Sequence, residues 1–96
     1  MADRSRYQSN PSAQMHIDAA AGQTIDTLLA AIEIDAKRLV PVDTGELRSE
    51  ISTEKDTETS GRLIADTDYA AYVELGTSRA PAQPFMRPAV YRQRSV

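Results

Sequence analysis

"MHIDAAAGQTIDTLLAAIEIDAKRLVP", residues 15–41, is the stretch on which the fold turns. Ile25, Leu28, Leu29, Ile32, Ala36 and Leu39 fall at i, i+3, i+4, i+7, i+11 and i+14. That spacing puts them on one stripe of a helix with 3.6 residues per turn. Asp26, Glu33, Asp35 and Lys37 lie off the stripe. The pattern predicts a long N-terminal amphipathic helix from about Met15 to Leu39, with its stripe in the core. Gly22 weakens the first turns by about 1 kcal/mol relative to alanine. Pro41 ends the helix, because the residue before a proline is pushed out of the α region.

Upstream, residues 1–14 read as an arm of Ser, Asn, Gln and Pro in which Tyr7 is the only large apolar group. Downstream, Asp43 with Glu46 three residues later resembles a capping box, which predicts a helical turn near 44–49. Ile51, Thr53 and Lys55 alternate with Ser52, Glu54 and Asp56, "DTETSG" supplies a turn, and "RLIAD" returns as a more apolar strand. A β-hairpin follows. "DTDYAAYVELG", residues 66–76, supports two readings. Asp66 or Thr67 caps a short helix near 67–75 that ends at Gly76, or Tyr72, Glu74 and Gly76 alternate along a strand. Beyond it "TSRAPAQP" is a loop, and a closing helix near 85–92 holds Pro88 in its first turn. The expected fold class is therefore α+β: a long helix on a small antiparallel sheet of a hairpin plus a further strand. One domain spans residues 15–92, with a tail at 93–96.

Ninety-six residues bury only roughly 60–65% of the unfolded surface, so partners matter to stability. The absence of cysteine excludes a disulfide scaffold and a zinc–thiolate site. No apolar run approaches the roughly 18 residues of a membrane span, and "MADRSRYQSNPSAQ" lacks a signal-peptide core. The expectation is a soluble protein made in a reducing cytoplasm, with no membrane contact. The net charge of −3 conceals a division. Residues 41–74 carry nine acids against three bases, whereas residues 75–96 carry Arg79, Arg87, Arg92 and Arg94 and no acid. One reading is a pair of solvated faces. The sharper one sets the acidic body of one subunit against the basic tail of the next, through contacts that salt screens.

Catalysis finds little support. Asp43-Thr44-Gly45 matches the tripeptide of aspartic proteases, where two such loops meet across a dimer so that two carboxylates share a proton. Here it follows a proline-broken helix end and runs into charged "ELRSE", so a retroviral-type protease is only a distant alternative. His16, the single histidine, has no nucleophile or carboxylate at an informative spacing and reads as an exposed helix residue. No phosphate-binding glycine loop is present, and the terminal arginines lack the aromatic interleaving of a nucleic-acid surface. No enzyme activity, cofactor or metal is expected.

Three segments, in this order, carry a resemblance: "VPVDTGELRSEI", "DYAAYVELGT" and "APAQPFMRPAV". They resemble the tail-component family of long-tailed phages often described as "gene product ten", the neck or tail-completion proteins. Its members share a long N-terminal helix, Asp-Thr-Gly-x-Leu-Arg, a hairpin, Tyr-Val-Glu-x-Gly-Thr, and Pro-Phe-x-Arg-Pro-Ala. The match covers residues 39–90. Two departures stand out: Leu75 occupies a position where an aromatic is expected, and the segment after Arg87-Pro88-Ala89 is short.

The resemblance implies a structural virion protein at the head–tail junction, assembled in the host bacterial cytoplasm. It would be a homo-oligomeric ring, six-fold or twelve-fold, around the channel through which double-stranded DNA passes without sequence-specific binding. The implied neighbours are a head-completion adaptor protein and a tail terminator or tail tube protein. Asp43, Thr44, Gly45, Leu47 and Arg48 would cap and anchor the hairpin. Tyr69, Tyr72 and Val73 would pack on the long helix, with Gly76 and Thr77 closing that segment. Arg79, Pro84, Phe85, Arg87 and Pro88 would form a stiff arm. Phe85 would be inserted either into its own subunit's core or into a neighbour's; the neighbour is the expected placement, and Arg87 would then bond Glu74 of the adjoining subunit. The alternative class is a small self-associating interaction domain.

Overall fold

The computed structural model describes residues 13–41 and 45–94. In chain order the elements are β1 (Ala13–Asp18), α1 (Ile25–Leu39), α2 (Gly45–Ser49), β2 (Ile51–Lys55), β3 (Ser60–Ala65), α3 (Ala70–Leu75) and α4 (Met86–Arg94). The class is α+β. Asp43 of the expected capping box, its neighbour Thr44, and residues 1–12 of the expected arm lie outside the described residues.

The stripe from Ile25 is a helix and is buried at Ile25, Leu28, Leu29, Ile32 and Ala36. Asp26 in the first turn and Lys37 and Arg38 in the last complement the helix dipole. Val40, extended at φ −66° and ψ 144°, stops it before Pro41. The helix does not reach back to Met15. Ala13–Asp18 is a strand instead, so the first helix follows a strand rather than opening the domain. Two features defeat the longer helix. Every stripe residue lies at or after Ile25, and Gly22 sits at φ +85°, in the left-handed region that a helix cannot traverse. The turn around it is closed by Gln23, whose N–H donates to the Ala20 carbonyl (2.9 Å) and whose Oε1 accepts the Ala20 N–H (2.8 Å). Before the turn, burial follows the two-residue period of a half-buried strand: Ile17 is inside while Gln14, His16 and Asp18 are exposed.

β1 supplies the further strand of the sheet, whose order is β1-β3-β2 with both pairs antiparallel. Ile17 lies opposite Gly61 and Met15 opposite Leu63, while Thr53 flanks Leu63 from the other side. The hairpin turn is held by the N–H groups of Asp56 and Thr57, which donate to the Ser60 carbonyl (2.9 and 3.1 Å). One face of the sheet packs under α1 through Ile17, Ile51, Leu63 and Ala65, all at most 2% exposed. The other is polar and centred on Arg62, which donates to Asp56 (3.1 Å), to Gln14 (3.2 Å) and to Glu54. Gly61 lets the helix approach. A Cβ there would stand 2.6 Å from the Glu54 carbonyl oxygen and 2.8 Å from a Leu29 methyl.

α4 closes the core by packing on α1 and reaching β1. Phe85, Met86, Ala89 and Val90 are buried there, with Phe85 at 0% exposure. The expectation that the only phenylalanine fills a neighbour is therefore corrected: it fills its own subunit's core. Pro88 is the third residue of α4, where a missing N–H forfeits no helical bond. α2 contributes Leu47, fully buried, to the same core.

Candidate functional site

The ambiguous segment 66–76 is a helix, and that choice builds the site. Thr67 is buried and its Oγ1 accepts the Tyr69 N–H at 3.3 Å, which turns the chain into α3. On a helix Ala70 and Glu74 are one turn apart on the same face, and both are buried. A strand would have pointed Glu74 the same way as Tyr72, whereas Tyr72 is 62% exposed. Gly76, at φ +82°, ends the helix and redirects the chain.

Glu74 is a carboxylate only 6% exposed, with four donors. Oε1 accepts the backbone N–H of Phe85 (3.0 Å) and of Met86 (2.8 Å). Oε2 accepts the backbone N–H of Arg87 (3.0 Å) and its side-chain Nε (3.3 Å). These backbone donors stand at the start of α4, where no helical carbonyl is available to them. Burial alone would push the Glu74 carboxyl up. The Met86, Phe85 and Arg87 amides and the Arg87 guanidinium together hold it below the usual carboxylate range. Glu74 thus does from a neighbouring helix what an N-cap side chain does locally. It joins the "YVELG" and "PFMRP" segments within one subunit.

Between those segments residues 77–84 form an exposed loop fixed at its base. Thr77 donates its N–H to the Ala80 carbonyl (2.9 Å), and its Oγ1 accepts the N–H groups of Arg79 and Ala80 (both 3.1 Å). Gln83 donates its N–H to the Val73 carbonyl at 2.8 Å. Ala82 folds over Gly76 so closely that a Cβ on Gly76 would lie 2.7 Å from its nitrogen. With these ties to its own body, the loop is a fixed projection with Ser78, Arg79 and Pro81 toward solvent.

The expected site residues divide accordingly. Glu74, Phe85 and Arg87 come together at the clasp, Gly76 and Thr77 stand at the base of the loop, Pro88 lies in the first turn of α4, and Arg79 and Pro84 are exposed on the loop. Arg87 bonds the Glu74 of its own subunit, not that of an adjoining one. Tyr69 and Val73 pack against the core, but Tyr72, expected to pack on the long helix, leaves 62% of its surface exposed. It faces away because it lies two residues from Glu74, on the opposite side of α3. Gly45 opens α2, Leu47 is core and Arg48 is exposed.

Part of the C-terminal positive charge is met inside the subunit. Besides Arg87 on Glu74, Arg92 stands 3.5 Å from Asp35 and Arg94 donates to the Asp18 carbonyl. Arg79 and Arg94 have no carboxylate partner among the described residues. Asp35 is the residue that sequence reasoning missed. Although off the apolar stripe, it is 6% exposed and accepts from Gln93 (2.9 Å) and Arg38 (2.6 Å), joining α1 to α4. The Gln93 bond first and the Arg38 bond second hold its carboxyl low against burial, and the charges of Arg92 and Arg38 add to this. An acid that precedes Lys37 and Arg38 on a helix gives no local sign of such a role. His16 is exposed on β1, 2.9 Å from Asp18. No group of residues suited to hold a metal occurs among the described residues, and none of their helices is long and apolar enough to cross a membrane.

The HK97-gp10-like family of bacteriophage tail components matches this chain over residues 12–76, from the start of β1 to the glycine after α3. No curated protein and no solved structure matches the chain.

Proposed function

The chain belongs to the HK97-gp10-like family of bacteriophage tail components, and we propose that it serves as a structural subunit of the head–tail junction. In this role it is a neck or tail-completion protein, part of a homo-oligomeric ring, six-fold or twelve-fold, around the channel for double-stranded DNA. A head-completion adaptor lies on one side and the tail terminator or tube on the other. No catalytic step belongs to the role.

The observation that carries the reading is the clasp under the loop. A buried carboxylate with four donors holds residues 77–84 as a fixed, exposed projection on a very small domain. A projection set before docking loses little conformational entropy when a partner receives it, and Pro81 and Pro84 restrict it further. Such economy suits a subunit whose task is to be recognised from more than one side. The experiment is deletion of the gene from its phage. The expected result is DNA-filled heads and separate tails, with infectivity restored by the wild-type protein supplied in trans. Normal joining of heads to tails without it would refute the junction role.

A further inference from the structure

Next to the clasp lies a shallow groove of about 210 Å³ between α3 and the loop, lined by Pro41, Tyr69, Tyr72, Val73, Ala80 and Pro81. Its two flanks differ in charge. On the loop side stands Arg79, exposed and without an acidic partner among the described residues. On the other side carboxylates surround Tyr69. The Tyr69 hydroxyl donates to Glu46 (3.3 Å), and its pKa is raised, first by burial and then by the charges of Glu46, Asp68 and Glu50. Asp66 and Asp68 precede α3, and Glu46, Glu50, Asp66 and Asp68 are all exposed. Arg48, also exposed, is the one base on α2, so this flank keeps an excess of acid. Across the middle, Tyr72 leaves 62% of its surface in water beside Val73 and Pro81.

A patch with a base on one flank, acids on the other and apolar surface between is complementary to itself. Turned through a half rotation, a second copy sets its Arg79 against these acids and offers its own acids to this Arg79, while the Tyr72 rings and prolines meet at the centre. We propose that this groove is a two-fold contact between two copies of the chain, in which the Arg79 loop of each lies on the Tyr69–Tyr72 shelf of the other. Such an isologous contact uses one surface twice, which a head-to-tail ring contact does not. It concerns the free subunit and stands apart from the place of the protein in the particle. The patch is small, so the dimer is weak, with dissociation on the order of 10–1000 µM. A dimer of this kind covers the exposed loop until another partner displaces the second copy.

The test is sedimentation equilibrium on the full chain at low and at high salt. The wild type is expected to form a dimer that weakens as salt screens the flanks. Arg79→Glu and Asp68→Arg, each with the melting curve of a folded protein, are expected to weaken self-association about tenfold or more, because like charges then face each other. Glu50→Arg serves in place of Asp68→Arg if the latter disturbs the start of α3. Mixing the two single variants restores opposite charges at both ends, so the mixture is expected to form a heterodimer where neither variant alone pairs. Three results would overturn the proposal: a wild type monomeric at millimolar concentration, a mixture no more associated than its components, or species larger than a dimer.

Discussion

Replacing Glu74 by glutamine tests the central structural claim, because it changes charge and acceptor number while nearly keeping shape. The carboxylate accepts four hydrogen bonds, two at each oxygen. Glutamine retains one acceptor oxygen, enough for two of them, and turns an amide N–H₂ toward the other two donors. The Arg87 N–H at the start of α4 then loses its partner in a part-buried site. Hydrogen bonds to a charged group contribute about 1.5–3 kcal/mol, and a stranded buried donor costs about 1–3 kcal/mol. The expected loss for Glu74→Gln is therefore about 2–4 kcal/mol, out of the roughly 5–15 kcal/mol that holds a domain together. For a domain of this size each 1 kcal/mol moves Tm by about 4–8 °C, so a drop of roughly 10–30 °C is expected in a thermal melt followed by circular dichroism. Arg87→Ala provides the contrast. Its side chain is 47% exposed and its backbone bond to Glu74 survives, so it should cost only about 0.2–1 kcal/mol. Hydrogen exchange at the Phe85, Met86 and Arg87 amides should accelerate in Glu74→Gln and change little in Arg87→Ala. The reasoning fails if Glu74→Gln melts within a degree or two of the wild type, or if both variants cost the same. The second result would mean that the ion pair, and not the capping of α4, is what stabilises the clasp.

Phe85→Ala should destabilise the isolated subunit by about 3–5 kcal/mol, since the ring lies fully inside its own core; an unchanged melt would return the ring to a neighbour. Acid should destabilise the protein through Glu74 and Asp35, whose folded-state pKa values are both depressed. Their contribution is complete above the ordinary carboxylate range and is lost as pH falls through that range toward the depressed values, so Tm should drop as the solution is acidified, and less steeply in Glu74→Gln. Gly61→Ala should cost about 1–3 kcal/mol, because its methyl meets both the Glu54 carbonyl and Leu29, and denaturant titration against wild type measures it.

Reading the chain from its residues reached most of the elements but misjudged where several of them meet. The Ile25–Leu39 stripe, the hairpin and the closing helix with Pro88 in its first turn were legible, because period and proline chemistry are local. Residues 13–18 were not. "QMHID" alternates, yet alternation over so few residues next to a strong helical stripe carries little weight until an edge of β3 is available to pair with. The clasp was half legible. Both of its segments were recognised, but Glu74 was assigned to a neighbour, since no local rule distinguishes an acid bonded within a subunit from one bonded between subunits.

By itself, the sequence determined that this is a small α+β domain with one amphipathic helix, and it placed helix ends at Pro41 and Gly76. It also carried the motifs of a phage tail-component family. These depend on backbone conformations and side-chain periods that each short segment imposes on itself. Only the tertiary structure decided that β1 completes the sheet, that Phe85 stays at home and that Glu74 and Asp35 tie the C-terminal helix to the body. Burial of a charge is decided by what surrounds it. A carboxylate on a short helix is a solvated side chain until the N–H groups of Phe85, Met86 and Arg87 arrive, from more than ten residues further along the chain, to replace the water it gives up.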